Sequence, residues 1–223
     1  MLDEIRTLID HKEAPGNLDR ALALLAALKA ERPSDDLVRG KMSHAWFYKG
    51  YLAPAGSKER ERAFDHGKTC GLEAITLAPR SAYGNFWYGS NLGMLGICKG
   101  VMASLRSIDP MRKTMEVVLQ EDEGFFFAGP HRALAQLYHQ APGWPISIGN
   151  KTTAGEHYER ALELAPGFFH NRLLVAQYYL DVGRKAQARE HLDWLLAAPV
   201  NPDHAIEDGD YRRQAEKLQQ RYF

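Results

Sequence analysis

The sequence predicts an all-α fold, a solenoid in which antiparallel helix pairs stack as a right-handed superhelix. Two segments with the same spacing of small and bulky apolar residues begin 34 residues apart, at Ala154 and at Ala188. An internal period of this length is typical of proteins whose repeating unit is one pair of helices. No stretch of alternating apolar and polar residues bounded by turn residues indicates a strand. We therefore expect strand content near zero.

The clearest repeat lies in the carboxy-terminal half of the chain. Ala154, Tyr158 and Ala161 have the spacing of the second helix of a tetratricopeptide (TPR) unit, which closes with a proline, here Pro166. Small side chains at such positions let two helices approach closely, and bulky ones fill the neighbouring hole. The second copy of this helix has Ala188, Leu192 and Leu195, and the first helix between the two copies has Ala176, Tyr179 and Gly183.

Weaker copies of the same pattern precede this repeat. Second helices are predicted over residues 21–33, 67–79 and 111–120, and first helices open near Met42, Tyr88 and Leu134. A terminal helix from Gly209 to Tyr222, with a charged face, is expected to cap the stack. These segments predict about five helix pairs. We expect them to form a single TPR-like domain over residues 1–223.

Two connections between helices are expected to be longer than the repeat requires. Residues 141–147, Ala-Pro-Gly-Trp-Pro-Ile-Ser, insert a proline-rich segment between two helices. A second slip of the pattern passes through Gly96, Gly100 and Asp109-Pro110, residue types that commonly interrupt helices. Trp144, in the first connection, fits either a contact surface or a plug over the edge of the solenoid, and we favour the plug.

Charge and composition argue against several classes of function. The 28 Lys and Arg residues balance 28 Asp and Glu residues, so no overall field favours nucleic acid or an anionic membrane. No apolar run reaches the length of a membrane span, and residues 1–6 lack the apolar core of a secretory leader. As written, the chain is expected in the cytoplasm, with the periplasm as the alternative if a leader was removed.

No constellation of residues indicates catalysis, a cofactor or a metal. The chain has no Gly-x-Ser-x-Gly elbow, no phosphate-binding loop and no dinucleotide fingerprint. His66 and Cys70 offer two ligands where a zinc site needs three or four. We expect Cys70 and Cys98 to be free thiols in helices, where they act as small apolar side chains. The sequence therefore predicts a protein that is not an enzyme and carries no cofactor.

Binding residues are predicted on the first helices, because these helices line the concave surface of a TPR stack. Their outward positions are Lys41, His44, Tyr48, Phe86, Ser90, Arg132, Gln136 and Gln177. Arg132 could grip a carboxylate, and the amides of Gln136 and Gln177 could hydrogen-bond an extended backbone. This set indicates a protein or peptide partner, and the alternative is an ordinary solvated inner face.

Two aromatic runs leave their roles open. Residues 86–88, Phe-Trp-Tyr, point in three directions on a helix, so at most two of them are core and one is expected to face the groove. Residues 125–127, three phenylalanines, cannot all be buried by one helical face. For this second run we favour core packing over an apolar lining exposed to a ligand.

The stretch from Gly129 to Pro145 is less generic than the repeat pattern. Its helix is followed by the proline-rich insertion, a Gly149-Asn150 turn and a helix containing His-Tyr-Glu-Arg-Ala-Leu at 157–162, and an aromatic helix with Tyr-Gly-Asn-Phe-Trp-Tyr at 83–88 lies upstream. In this order of motifs the chain resembles the T-component proteins of TRAP transporters (TatT) and the related regulator of microtubule dynamics family.

The resemblance implies an all-helical repeat protein from families without known enzymatic activity. Bacterial members of the transporter family are exported lipoproteins that associate with a periplasmic solute-binding protein, and the resemblance leaves a homo-oligomer open. No lipobox or leader is present in this sequence. Two functions follow. The first is a scaffold that holds a protein partner or peptide in the concave groove, and the alternative is a transport accessory protein that docks on a solute-binding protein or binds a small apolar ligand.

Overall fold

The computed structural model describes the whole chain, from Met1 to Phe223. The α-helices are α1 (Leu2–Asp10), α2 (Asn17–Glu31), α3 (Asp36–Leu52), α4 (Lys58–Leu77), α5 (Ala82–Lys99), α6 (Val101–Glu121), α7 (Phe125–Gln140), α8 (Lys151–Leu164), α9 (Phe169–Asp181), α10 (Lys185–Ala197) and α11 (Ala205–Tyr222). A short 3-10 helix at Pro202–His204 precedes α11. The one β-type pairing is an isolated bridge between Gly143 and Gly149. The prediction of an all-α protein is confirmed.

Several helices begin where the sequence supplies a capping side chain. Asp35, Ser57, Ser81 and Asn150 stand just before α3, α4, α5 and α8, and each side chain accepts a hydrogen bond from a backbone N–H of the first helical turn. Such a bond satisfies one of the donors that the start of a helix leaves without a partner inside the helix. Local sequence therefore sets where these helices start.

The helices belong to two compact units, Met1–Glu123 with α1 to α6 and Gly124–Phe223 with α7 to α11. Successive helices pack as the pairs α1/α2, α3/α4 and α5/α6 in the first unit, and as α7/α8 and α9/α10 in the second. These five pairs agree with the number that the repeat pattern predicts, and α11 follows the last pair. That residues 1–223 form a single domain stays a prediction.

Three helices of the first unit meet at a buried polar contact. Asn91 of α5 donates from its side-chain amide to the Ser43 carbonyl oxygen at 3.0 Å and to the Ser43 hydroxyl at 3.1 Å. The Ser43 hydroxyl donates in turn to the Gly67 carbonyl oxygen of α4 at 2.8 Å. A Cβ atom at Gly67 would overlap the Asn91 side chain, so the glycine permits this approach of α4 and α5. Buried polar groups that find such partners fix the register of the helices.

The second predicted long connection is wrong. Only Gly100, with a φ of 94°, separates α5 from α6, and Pro110 lies inside α6. The additional residues extend the two helices instead, to 18 residues in α5 and 21 in α6. A proline removes one backbone hydrogen bond, but α6 packs extensively against α5, and this packing maintains the helix past the proline.

In the second unit the repeat positions form the core. The residues that carried the 34-residue period are all buried, namely Ala154, Tyr158, Ala161, Ala188, Leu192 and Leu195. Ala215 of α11 packs with Leu192 and Leu195, so the last helix covers α9 and α10 as the sequence predicted. This helix begins at Ala205 rather than at Gly209.

Candidate functional site

The first unit has an aromatic face on α3 and α5, which we define by His44, Tyr48, Tyr83 and Trp87. The imidazole of His44 stacks on the Trp87 indole with ring centroids 3.7 Å apart and ring planes 15° apart. The Tyr83 hydroxyl lies 2.7 Å from His44 Nδ1. The Tyr48 ring centroid lies 5.1 Å from that of His44. Each helix contributes two rings four positions apart, a spacing that places side chains on one side of a helix.

Two lysines lie against this aromatic face. The Nζ atom of Lys12 is 4.6 Å from the centroid of the Tyr48 ring, and that of Lys41 is 5.3 Å from the centroid of the Tyr83 ring. An ammonium group at such a distance is attracted by the negative face of the ring. Lys12 lies two residues after the end of α1 and is only 5% exposed, so it is packed against this surface.

The His44 imidazole in the aromatic face is uncharged, and charged side chains of α1 act on Lys41 beside it. Burial lowers the pKa of His44 well below its usual value, and the positive charges of Lys41 and Lys12 act in the same direction. The imidazole is therefore uncharged at neutral pH. Burial also lowers the pKa of Lys41, with a further contribution from Arg6 of α1, whereas Asp10 of α1 acts to raise it.

Of the five binding residues predicted in this unit, His44 and Tyr48 belong to the aromatic face and Lys41 lies against it. Phe86 needs correction, and Ser90 stays a prediction. Phe86 is 4% exposed and packs edge-on against Trp87, so it is a core residue. The Ser90 hydroxyl donates to the Phe86 carbonyl oxygen at 2.8 Å, a bond within its own helix.

The predicted binding residues did not include Tyr83, Trp87 or Lys12, although Trp87 belongs to the run 86–88, of which one residue was expected to face the groove. The spacing of Tyr83 and Trp87 was a usable signal, because residues four apart share one side of a helix. It was ambiguous because α5 packs against α3, α4 and α6 and is buried around most of its circumference. Lys12 carried no signal at all, since a lysine in a turn after a helix is ordinarily solvated.

In the second unit, Arg132 supports a left-handed turn at the start of α7. Residues 126–128 have φ angles of 47°, 58° and 58°, a region that residues other than glycine rarely adopt. The Arg132 guanidinium donates to the Phe127 carbonyl oxygen at 2.9 Å and to the Phe126 carbonyl oxygen at 3.3 Å. Arg132 is 6% exposed. The predicted grip on a partner's carboxylate is therefore corrected to a structural role within the chain.

Asn171 of α9 completes this support. Its side-chain oxygen accepts a hydrogen bond from Arg132 at 3.0 Å, and its side-chain amide donates to the carbonyl oxygens of Phe127 at 3.2 Å and Ala161 at 2.9 Å. The Phe127 ring stacks on Phe168 with centroids 4.5 Å apart and remains 40% exposed. The run at 125–127 is thus only partly buried, and the expectation of core packing does not hold for Phe127.

The remaining predicted residues, Gln136 and Gln177, lie half-buried on α7 and α9. On α7, the helix of Gln136, and on its partner α8, the Nδ1 atoms of His131 and His157 are 2.9 Å apart. One of these nitrogens must donate and the other accept, so the accepting ring is neutral. Burial, aided by His131, lowers the pKa of His157 to about 4. This pair fixes α7 against α8 and was not predicted.

The predicted insertion between α7 and α8 forms a loop that presents Trp144 to solvent. The Trp144 side chain is 89% exposed and that of Ile146 is 75% exposed. The base of the loop is held by a hydrogen bond from the Gly149 N–H to the Pro142 carbonyl oxygen at 2.9 Å. The interpretation of Trp144 as a plug is therefore wrong. The indole instead forms part of an exposed apolar surface, and residues 141–150 contain no charged side chain.

The structure offers no arrangement of metal ligands, and none of its helices combines the length and apolar composition of a membrane crossing. Both cysteines are free, and Cys70 is buried. Burial raises the pKa of the Cys70 thiol to about 11, which keeps it protonated and unreactive at neutral pH. Cys98 is half-buried in α5, so the expectation of free helical thiols is met.

Known proteins similar to this chain have related folds and sequences. Regulator of microtubule dynamics protein 2 from Rattus norvegicus is 22% identical over 185 residues, which is 75% of this chain and 43% of that protein. The protein of the same name from Mus musculus matches equally. The chain thus spans less than half the length of these curated relatives. A thermophilic TPR protein of Thermus thermophilus superposes with a TM-score of 0.70 at 16% identity, covering 98% of both chains.

The superposition establishes a TPR-like fold. At 16% identity it shows the fold and not the function. The sequence model of a family described as the TRAP transporter T-component matches residues 84–222. This match begins in α5, includes the loop that carries Trp144, and ends with α11. It covers well over half of the chain, and the chain belongs to the TRAP transporter T-component family.

Proposed function

We propose that this chain is a non-enzymatic binding protein that holds a protein partner or a peptide on the surfaces of its helix repeats. The observation that carries the proposal is the exposure of Trp144 on a loop whose base is fixed by backbone hydrogen bonds. Tryptophan is among the residues that contribute most to binding energy at protein interfaces. A loop that is already ordered loses little conformational entropy on binding. The TPR-like fold supports the same function, because its repeats present extended surfaces to partners.

The chemistry of the loop defines what would bind it. Trp144 and Ile146 offer two apolar anchors, and the ten residues from 141 to 150 are uncharged. A partner would therefore present an apolar pocket without a buried charge, because an unpaired charge opposite the indole would be costly to desolvate. In the same unit, Gln136 and Gln177 offer amides that could hydrogen-bond an extended segment, and these two residues belong to the proposal.

A capture experiment with matched variants tests this function. The full-length protein, its Trp144→Ala variant and its Val101→Ala variant would each be immobilised and exposed to an extract of the source organism. Val101 is 76% exposed and lies in the other unit, which makes it a control for general surface hydrophobicity. We expect one protein that the wild type and V101A retain equally and that W144A retains at least about tenfold less, the loss typical of a binding hot spot. Equal capture by all three would overturn the proposal.

A second candidate is a transport accessory protein that docks on a solute-binding protein. The family match supports it, because the matched residues 84–222 include the Trp144 loop. Titration of each purified TRAP solute-binding protein of the organism into the full-length chain, followed by calorimetry, tests this idea. Binding that W144A abolishes would favour docking. No heat with any of them, together with capture of a different protein, would leave the scaffold function and remove the transporter role.

The small apolar ligand of the same alternative has its own test. Native mass spectrometry of the purified full-length chain would reveal a co-purifying molecule as a constant added mass. A ligand that binds in an apolar site should be released by unfolding in acid and identified from its mass. A spectrum with the mass of the chain alone, unchanged after incubation with lipid extract, would remove the ligand from the proposal.

A further inference from the structure

The carboxylate of Asp181 contacts both ends of the loop that carries Trp144. Lys151, which directly follows residues 141–150, donates from Nζ to Asp181 Oδ2 at 2.6 Å. His139 precedes the same loop by two residues, and its Nε2 atom lies 3.2 Å from the same carboxylate oxygen. Asp181 belongs to α9. One oxygen atom of the next helix pair therefore joins the residues that enter and leave the loop.

A second residue of α9 contacts the same two loop ends. The Tyr178 hydroxyl donates to the Lys151 carbonyl oxygen at 3.0 Å, and its ring meets the His139 ring edge-on with centroids 5.4 Å apart. Both ends of the loop are thus seated on α9, and Asp181 supplies the charged part of this contact.

His139 connects the carboxylate to the core of the unit. The hydrogen bonds from Lys151 and then from His139 lower the pKa of the Asp181 carboxyl, so the group is ionised at neutral pH. An ionised carboxylate only accepts, and His139 Nε2 must therefore carry a proton and donate. His139 Nδ1 lies 3.3 Å from the hydroxyl of Tyr158, which is 1% exposed. The network thus runs from a buried tyrosine to the ends of the loop.

The local sequence of α9 does not account for an aspartate at position 181. Asp181 is the last residue of the helix. Aspartate is a weak helix former, and a negative charge at this end opposes the helix dipole. The carboxylate is 52% exposed and the Lys151 side chain is 56% exposed, and exposed pairs contribute little to overall stability. The contacts with the loop ends are therefore the effect of this side chain that the structure displays.

We infer that Asp181 is the positioning residue of the Trp144 loop, and that a partner's affinity for the loop depends on its carboxylate. The backbone bonds from Gly149 to Pro142 and from Asn150 to Tyr138 keep the loop closed, but they tie it only to itself and to α7. Asp181 ties it to α9, the helix of Gln177, and so sets the direction in which the indole points relative to that helix.

A loop held in one direction loses less conformational freedom when a partner binds. The carboxylate therefore affects affinity without touching the partner itself. This inference deepens the proposed function and rests on it.

Hydrogen exchange of the full-length chain tests the positioning. The samples are the wild type, Asp181→Ala, and Asp193→Ala as the matched control, because Asp193 is 57% exposed and pairs with Arg189 on α10 of the same unit. We expect the amides of Gly149 and Asn150 to exchange at least about fivefold faster in D181A than in the other two proteins. Amides in the middle of α8 and the urea midpoint should be the same in all three, because exposed ion pairs contribute little to overall stability.

Two results of this experiment would overturn the inference. Equal exchange of the loop amides in the three proteins would show that Asp181 does not order the loop. Faster exchange throughout the unit in D181A, with a lower urea midpoint, would make Asp181 a general stabilising residue instead.

Salt provides a readout that a purely steric role would not change. Screening shortens the range of charge interactions from about 10 Å at 0.1 M salt to about 3 Å at 1 M. We expect the loop amides of the wild type to exchange faster at 1 M, and those of D181A to be insensitive to salt. Asp181→Asn keeps an acceptor but removes the charge, and its exchange at low salt should lie between those of the wild type and D181A. The same salt response in D181A and the wild type would contradict the inference.

The capture experiment with immobilised full-length protein tests the link to affinity. We expect the protein that W144A fails to retain to be held at least about threefold less by D181A than by the wild type and D193A, because a less ordered loop loses more freedom on binding. Loss of capture in W144A with full capture by D181A would overturn this inference and leave the proposed function standing. Equal capture by the wild type and W144A would remove the proposed function, and the inference that rests on it would fall as well.

Discussion

The imidazole of His44 and the indole of Trp87 stack with their centroids 3.7 Å apart, and the Tyr83 hydroxyl fixes the imidazole at Nδ1. This arrangement needs a neutral histidine, because burial and two nearby lysines all oppose protonation. An aromatic face that a sequence pattern marks as a binding surface is thus also a packed part of the first unit. The need for a neutral His44 makes the stability of the chain depend on pH.

We expect the free energy of unfolding to decrease as the pH falls from about 7 to about 5. In the unfolded chain His44 protonates near its ordinary pKa of about 6.5, whereas in the folded chain its pKa is well below that value. Below this pH the unfolded state binds more protons, so stability is lost, by at most about 1.4 kcal/mol per pH unit for one histidine. His157 and His191, each with a pKa lowered to about 4, act in the same direction.

Urea unfolding at pH 7.5, 6.5 and 5.5, chosen to bracket the ordinary histidine pKa, measures this dependence. The variant His44→Gln should have a shallower slope than the wild type. His66 is exposed on α4, so His66→Gln serves as the control and should keep the wild-type slope. A slope that H44Q leaves unchanged would contradict the assignment of a buried neutral imidazole.

Close packing of α4 against α5 predicts an effect at Gly67. A methyl group there would overlap the Asn91 side chain, which is itself held by Ser43. We expect Gly67→Ala to decrease stability by about 1–3 kcal/mol, the usual cost of forcing a well-packed interior apart. A methyl group at Gly167 would meet no atom within 4 Å, so Gly167→Ala should change stability by less than about 0.5 kcal/mol. Chemical unfolding compares the two, and equal effects would argue against the close contact.

The left-handed turn at 126–128 should depend on Arg132. We expect Arg132→Ala to cost about 2–4 kcal/mol, because it leaves the Phe126 and Phe127 carbonyl groups without their charged donor. A double-mutant cycle with Asn171→Ala should show coupling of about 1 kcal/mol or more, since the two side chains share the Phe127 carbonyl oxygen.

Arg160→Ala is the control for loss of an arginine, since Arg160 makes an exposed pair with Glu163 at 3.0 Å. Such surface pairs contribute about 0–1 kcal/mol. If R132A were as mild as R160A, or if the effects of R132A and N171A simply added, Arg132 would not support the turn. It would then become a candidate for contact with a partner again.

Substitution of Trp87 should affect stability, whereas substitution of Trp144 should affect binding and leave stability almost unchanged. Trp87 is 1% exposed, and Trp87→Ala should cost about 3–5 kcal/mol. Trp144→Ala should change stability by less than about 0.5 kcal/mol, because the indole is almost fully solvated. Thermal unfolding of both variants measures this difference. A large destabilisation by W144A would mean that the indole is packed in solution after all.

Most of the fold could be predicted from the sequence because the same spacing of apolar residues occurs more than once in the chain. The spacing of Ala154, Tyr158 and Ala161 recurs 34 residues later, and each copy constrains the same pair geometry. The connection between α5 and α6 was predicted to be too long, because glycine residues and the Asp109-Pro110 pair indicate only local interruptions of a helix. Tertiary packing overrode them and carried α6 through Pro110.

The candidate site was less accessible, for a physical reason visible in single residues. A helical register predicts which residues share a side but not which side meets a neighbour, so His44 and Tyr48 were found while Tyr83 was missed. Arg132 was assigned to the groove because no sequence pattern reveals a left-handed turn whose carbonyl groups need side-chain donors. Trp144 was interpreted as a plug over the edge of the solenoid because aromatic side chains are on average buried, and a single exposed indole departs from that average.

The most direct test of partner binding is a site-specific photo-crosslink from the Trp144 loop inside the source organism. A benzoylphenylalanine at Ile146 leaves the indole in place, and one at Met102, 64% exposed in the other unit, is the control. We expect one discrete crosslinked protein from position 146 that position 102 does not give and that Trp144→Ala removes. Identical products at the two positions, or none at position 146, would contradict a partner surface at this loop.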